Sequence, residues 1–201
     1  MSMPVTYHSN ALSIDNLRRE VAVIDPDLPI AVGTIDIDSF GSLNEREGQE
    51  AGDRALAAVE SALMLGLPAS ALIGHVKGDE WTVVLPDALP EDLLIALDGI
   101  RRRLAAEGPL PITGGVAGRP QHGADFDELV AAADTGLVRA KQAGRNKVAM
   151  AVDERMVLKS NYYTRPALHR LAKLASRTGH TEAHHLRQAL DDHLARHRDL
   201  L

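Results

Sequence analysis

The stretches IAVGTIDID (30–38) and ALIGHVKGDEWTVVLP (71–86) decide the fold. The first is an almost unbroken apolar run that ends on Asp36 and Asp38, the pattern of a buried strand with carboxylates at its carboxyl end. The second is two short β-rich runs, 71–76 and 81–86, with Lys77-Gly78-Asp79-Glu80 between them, a hairpin signature. Between these stretches, Ala51, Ala55, Leu56, Val59 and Leu63 recur at helical spacing, predicting a helix from about Glu45 to Leu65. Pro90 opens a second helix that should stop near Gly108. PITGGVAG (111–118) reads as a weaker strand because glycines interrupt it. A helix from Phe126 to Ala143, closed by Gly144, and a last short strand over 147–152 complete the series.

The order is β-α-β-β-α-β, then α-β: an α/β (α+β) fold of ferredoxin-like type with an extra unit. Residues 28–153 form this domain, residues 1–27 are a lead-in, and residues 154–201 a small strand–helix–helix module. In that module Thr164 can cap a first helix with Pro166 in its first turn, and Gly179 ends it. Thr181 caps a second.

Bulk composition agrees with a soluble globular chain. Of 201 residues, 45% are apolar and 25% charged, enough to fill a core. No run approaches the ~18 apolar residues needed to span a bilayer. The N-terminal residues lack a basic stretch followed by an apolar one, so export is not expected. The absence of cysteine excludes disulfides, thiolate catalysis and Cys-based zinc sites, and fits the cytoplasm. The net charge of −6 is unevenly spread: residues 1–154 carry 13 basic and 24 acidic residues, residues 155–201 carry 9 and 4. An acidic body with a basic tail suits two modules, the second able to face a polyanion or to be a solvated helix pair.

Asp36, Asp38, Asp79 and Glu80 stand at neighbouring strand ends. Four clustered carboxylates repel one another unless a cation neutralises them, and hard divalent cations such as Mg²⁺ take such oxygen ligands together with substrate phosphates. Asp38 could instead cap the following turn.

These residues carry a family resemblance. Ile35-Asp36-Ile37-Asp38-Ser39-Phe40, with Asn44 and Gly52-Asp53, is similar to the first signature of the GGDEF nucleotide cyclases. Lys77-Gly78-Asp79-Glu80-Trp81 resembles the turn that names them. Ala133-Asp134 with Ala140-Lys141-Gln142-Ala143-Gly144-Arg145-Asn146 resembles their closing motif. The resemblance covers about residues 28–152 and implies a palm-like diguanylate cyclase fold, in which two GTP-loaded copies of the domain face each other. It implies Mg²⁺ (or Mn²⁺) on Asp36, Asp79 and the Ile37 carbonyl, and guanine read by Asn44 and Asp53. It also implies β- and γ-phosphates held by Lys141 and Arg145, and Glu80 as a metal ligand or proton acceptor. GTP or a cyclic dinucleotide and a second copy of the chain are then the expected partners.

The sequence departs from the pattern in three places. Lys77 stands where the family has glycine and either obstructs the α-phosphate or supplies it with a cation. Gly41 replaces a usual Lys or Arg. Pro68 and Ala71 occupy the places of the Arg-x-x-Asp product-inhibition motif, so feedback there is not expected. Trp81 for Phe still fills an apolar slot. Two readings stay open: an enzyme making cyclic di-GMP, and an impaired domain that senses GTP or a cyclic dinucleotide. The tail resembles a ribbon-helix-helix module that binds double-stranded DNA as a dimer, with Lys159, Ser160, Asn161 and Tyr162 as candidate base-reading residues.

Overall fold

The computed structural model describes residues 7, 9–108, 110–152 and 162–197. Two compact units emerge, Met1–Glu154 and Arg155–Leu201.

The first unit is built on a five-stranded sheet. Its strands are β1 (Ile30–Ile37), β2 (Leu72–Lys77), β3 (Glu80–Pro86), β4 (Ile112–Arg119) and β5 (Val148–Met150), in the spatial order β2-β3-β1-β4-β5. The first four strands are antiparallel neighbours, and β5 runs parallel to β4. This is the ferredoxin-like arrangement with one added strand, in agreement with the sequence reading. β1 is central, and every one of its eight residues is buried.

Side chains alternate along β1 and sort onto two cores. Ala31, Ile35 and Ile37 face a cluster that includes Val59 and Leu63 of α3 (Gln49–Gly66) and Leu93 and Leu97 of α4 (Pro90–Glu107). Ile30 and Val32 face the opposite cluster, with Leu17 of α1 (Ile14–Ala22) and Leu129 and Ala133 of α5 (Phe126–Gln142). By the same parity Thr34 and Asp36 lie on the α5 face. This is the first fact that positions the site.

Three expectations need correction. The lead-in contains a helix, α1, capped by the Ser13 side chain, and its Leu17 is fully buried. Sequence reading passed over it because an amphipathic nine-residue segment with only two buried residues carries a short apolar signal. The predicted Glu45–Leu65 helix is two helices, α2 (Phe40–Glu47) and α3, broken at Gly48 with φ 82°. The glycine-interrupted segment 111–118 is no weak strand: β4 is a fully paired neighbour of β1. Its glycines serve close packing, since a Cβ on Gly115 would lie 1.9 Å from the Ala133 carbonyl oxygen of α5.

The N-terminal segment is tied to α3 through Glu60, which is 4% exposed. Its carboxylate accepts from the Tyr7 hydroxyl, from Ser9 Oγ (2.5 Å) and from the Asn10 backbone N–H (2.8 Å). Burial raises the Glu60 pKa, but these hydrogen bonds prevail and hold it below the usual carboxylate range. Burial, then the hydrogen bond it donates to Glu60, push the Tyr7 phenol up to about 12.

The second unit contains α6 (Arg165–Thr178) and α7 (Glu182–Arg196). Thr164 and Thr181 cap them through their side chains, and Gly179 closes α6 at φ 77°, as read from the sequence. Lys159, Ser160 and Asn161, and with them most of the expected recognition strand, lie outside the described residues. Tyr162 is fully exposed. No helix among the described residues is long and apolar enough to cross a membrane.

Candidate active site

The carboxyl end of β1 meets the β2–β3 hairpin through strand register. Asp36 pairs with Glu80 of β3 on one side and with Thr113 of β4 on the other, so the three side chains share the α5 face. Beyond the last pair, the Ile37 N–H donates to the Asp79 carbonyl (3.3 Å), which fastens the hairpin turn to the strand end. Gly78 takes φ 54°, while Lys77 stays outside the left-handed region. The turn therefore needs glycine at its first central position only, as a type II′ turn does. Lys77 sits in the hairpin without backbone strain, its ammonium 3.9 Å from the Glu80 carboxylate and its side chain largely exposed.

The electrostatics of this corner are those of a cation site. Asp36 is 8% exposed, and the Lys141 ammonium lies 2.8 Å from its Oδ2. Lys141 comes from the last turn of α5, so the helix end delivers a positive charge to the buried carboxylate. Burial, then the charges of Asp36 and Glu80, push the Asp79 carboxyl above its usual value. Hard oxygen donors that repel one another and already attract an ammonium fit a divalent metal ion. Two turns further back on α5, burial raises the Asp134 carboxyl, opposed by Thr34 and by the Lys141 charge.

Asp38 is not part of the cluster. Its Oδ1 accepts from Thr113 Oγ1 (2.6 Å) and its Oδ2 from the Asn146 N–H (2.9 Å), so both oxygens are committed to holding chain segments together. Of the four carboxylates expected at the strand ends, the site therefore contains Asp36, Asp79 and Glu80.

A second recess opens beside α2 and α3, where the break at Gly48 splays the helices. A cavity of about 780 Å³ is lined by Phe40, Asn44, Gly48, Asp53 and Leu56 among others. Asn44 Oδ1 is buried and has no hydrogen-bond partner among the described residues. A buried acceptor without a donor costs about 1–3 kcal/mol, so it is a position where a ligand's donor would be welcome. Gly52 supports it from below: a Cβ there would come within 2.0 Å of Asn44 Oδ1. Asp53 lines the same cavity and its carboxylate accepts from the Tyr7 N–H (3.3 Å). Gly41, in the first turn of α2, has open space where a side chain would stand.

Arg145 is exposed and left-handed (φ 59°), on the turn that follows α5, next to the residue tethered to Asp38. The structure thus brings Asp36, Ile37, Asp79, Glu80, Lys77 and Lys141 to one corner and places Asn44 and Asp53 together in the adjoining recess. Sequence reasoning named Gly52 only as part of a motif, without its packing against Asn44, and missed Thr113 and Tyr7. The role of Gly52 is legible in hindsight from its place beside Asp53; Thr113 and Tyr7 act through long-range contacts that leave no local signal.

Comparison with known proteins places the domain. The family model "Diguanylate cyclase, GGDEF domain" matches residues 11–147, so its N-terminal limit takes in α1. The chain is 33% identical over 124 residues to the probable diguanylate cyclase DgcC of Escherichia coli, covering 58% of this chain and 33% of that one. It is 32% identical over 134 residues to the diguanylate cyclase DosC of Escherichia coli, covering 61% and 28%. The chain therefore spans about a third of the length of these relatives. Among solved structures, the GGDEF domain of DgcB from Caulobacter crescentus, in complex with c-di-GMP, superposes with a TM-score of 0.65 at 20% identity, over 75% of this chain and 98% of that one. The active GGEEF domain of a diguanylate cyclase from Vibrio cholerae gives 0.59 at 26% identity, over 62% and 83%.

Proposed function

We propose, from the premise that this chain belongs to the diguanylate cyclase GGDEF domain family, that its site binds GTP with a divalent cation and condenses two GTP molecules into cyclic di-GMP across a homodimer. The observation that carries the proposal is the seating of the Lys141 ammonium on buried Asp36, 2.8 Å away, beside a hairpin whose Asp79 is loaded by the Asp36 charge. Asp36, Asp79 and the Ile37 carbonyl would hold Mg²⁺ or Mn²⁺, which when bound supplies charge to the phosphoryl oxygens.

The remaining steps belong to the chain's own residues. Asp53 accepts from the guanine N1–H and exocyclic amine, and Asn44 Oδ1 offers a further acceptor; adenine cannot match this donor pattern. Lys141 and Arg145 pair with the β- and γ-phosphates. Lys77, released from Glu80, adds a cation near the phosphates where the Gly41 position offers none. Glu80 accepts the proton of the 3′-hydroxyl as that oxygen attacks the α-phosphorus of the GTP on the facing copy. The bond from the α-phosphorus to the bridging oxygen breaks and pyrophosphate leaves. Repetition from the second copy closes the ring with a second pyrophosphate. Formation of cyclic di-GMP from GTP by the purified protein tests the proposal.

The recess gives its own prediction. Gly52→Ala folds, because the atom in its way is the mobile end of the Asn44 side chain, but Asn44 must leave its place. GTP binding should weaken by about 10- to 100-fold, the worth of one buried hydrogen bond, while ATP binding stays as weak as before. Isothermal titration with both nucleotides reads this.

For the second unit the proposal is a paired module that contacts double-stranded DNA. Its support is the basic excess over residues 155–201 and the leucines Leu168, Leu174, Leu186, Leu190 and Leu194, each 37–56% exposed, which a second copy would cover. In a gel shift on the gene's own upstream DNA, the double change Lys159→Ala and Tyr162→Ala should reduce binding about tenfold or more. Unchanged binding would remove the recognition-strand assignment.

A further inference from the structure

The turn between α5 and β5 contains three successive residues with positive φ: Gly144 (104°), Arg145 (59°) and Asn146 (45°). Glycine adopts this freely, whereas the other two do so at a cost and persist there only where surrounding contacts impose it. The contacts come from two sides. The end of α5 accepts from the Gly144 N–H (Lys141 carbonyl, 3.3 Å) and from the Arg145 N–H (Ala140 carbonyl, 3.1 Å). From the sheet, Asp38 Oδ2 and Thr113 Oγ1 both lie 2.9 Å from the Asn146 nitrogen, and the Thr113 hydroxyl donates to Asp38 Oδ1. Thr113 is fully buried, and the Asp38 N–H is itself fixed to the Pro111 carbonyl (3.0 Å). Arg101, paired with Asp98 (2.8 Å), donates to Asn146 Oδ1 (3.1 Å). One carboxylate thus joins the end of β1, the start of β4 and the turn that bears Arg145.

We propose that Asp38, acting with Thr113, is a positioning residue that fixes Arg145 and the end of α5 for the nucleotide's terminal phosphates. This rests on the cyclase reading. It predicts the opposite sign to simple electrostatics. A carboxylate near a triphosphate repels it, so its removal should tighten binding by charge alone. If Asp38 acts by positioning, its removal weakens binding.

The test compares the wild type with Thr113→Val, Thr113→Ser and Asp38→Asn. Two probes are used with Mg²⁺: 3′-deoxy-GTP, which lacks the attacking hydroxyl, and 3′-deoxy-GMP, which lacks the terminal phosphates as well. Thr113→Val, which leaves the charge unchanged, and Asp38→Asn should each bind 3′-deoxy-GTP about tenfold more weakly, the effect expected of a misplaced phosphate clamp. Neither should change its affinity for 3′-deoxy-GMP, and Thr113→Ser, which keeps the donor, should stay near the wild type. Thermal unfolding verifies that each variant is folded, and Thr113→Val alone carries the test if Asp38→Asn is not. Equal or tighter 3′-deoxy-GTP binding by Thr113→Val, or equal weakening towards both probes, overturns the inference and leaves the cyclase reading standing. A wild type that binds neither probe overturns the cyclase reading and the inference with it.

Discussion

Asp79→Asn should raise the melting temperature of the metal-free protein while lowering cyclic di-GMP formation by at least on the order of 10²–10³-fold, the loss seen when one charge-stabilising group leaves an active site. The two effects share one cause. Burial and the negative charges of Asp36 and Glu80 hold the folded-state Asp79 carboxyl above its ordinary value of 3.8. A group whose folded pKa is raised contributes stability that is complete below its unfolded pKa and is lost as pH rises through the folded one. At neutral pH the ionised carboxylate therefore works against folding, and an isosteric amide removes that penalty. The stability gap between variant and wild type should close below about pH 4, where both side chains are neutral. Thermal melts from pH 3 to pH 8 in the presence of a chelator measure it. A structural surface aspartate would instead show no gain and no pH dependence.

The second large effect falls on Lys141. Its ammonium is the counter-charge of a carboxylate that is 8% exposed. Lys141→Met keeps the aliphatic stem and leaves Asp36 unpaired in the domain interior. Breaking a buried pair costs about 3–5 kcal/mol. Lys141 keeps about a third of its side chain in solvent, so a loss of roughly 1–3 kcal/mol is expected here. Added Mg²⁺ should restore much of that loss, because a divalent cation on Asp36 and Asp79 replaces the missing ammonium. Catalysis should not return with stability, since the contact of Lys141 to the phosphates stays absent. Denaturant titrations with and without Mg²⁺ distinguish this from a packing defect, which the ion would leave unchanged.

What the sequence disclosed and what it hid follow from the range of the interactions. The β1 run ending on Asp36, the β2–β3 hairpin and the helix read from Phe126 to Ala143 were legible because each is a local pattern with its own period or turn chemistry, although the hairpin turn is the two residues Gly78-Asp79 and not the four expected. Strand order and two-faced packing were then implied by connection rules. The break at Gly48 was hidden because apolar spacing on both sides of it reads as one helix. The role of Asp38 was undecided between metal ligand and turn cap. Its partners, Thr113 and Asn146, are 75 and 108 residues away, and only the folded sheet brings them within reach. Lys77 was open between obstructing the α-phosphate and supplying it with a cation; in the structure the left-handed position of the turn falls on Gly78, so Lys77 sits there without backbone strain.

We propose that the Asp36–Asp79 corner turns GTP over. The direct measurement is incubation of the purified chain with GTP and Mg²⁺, chromatographic identification of the nucleotide product, and the same assay on Asp79→Asn. The expected result is cyclic di-GMP with two pyrophosphates per product from the wild type, and essentially none from the variant. GTP left unconsumed by the wild type, or identical turnover by both proteins, would contradict the claim.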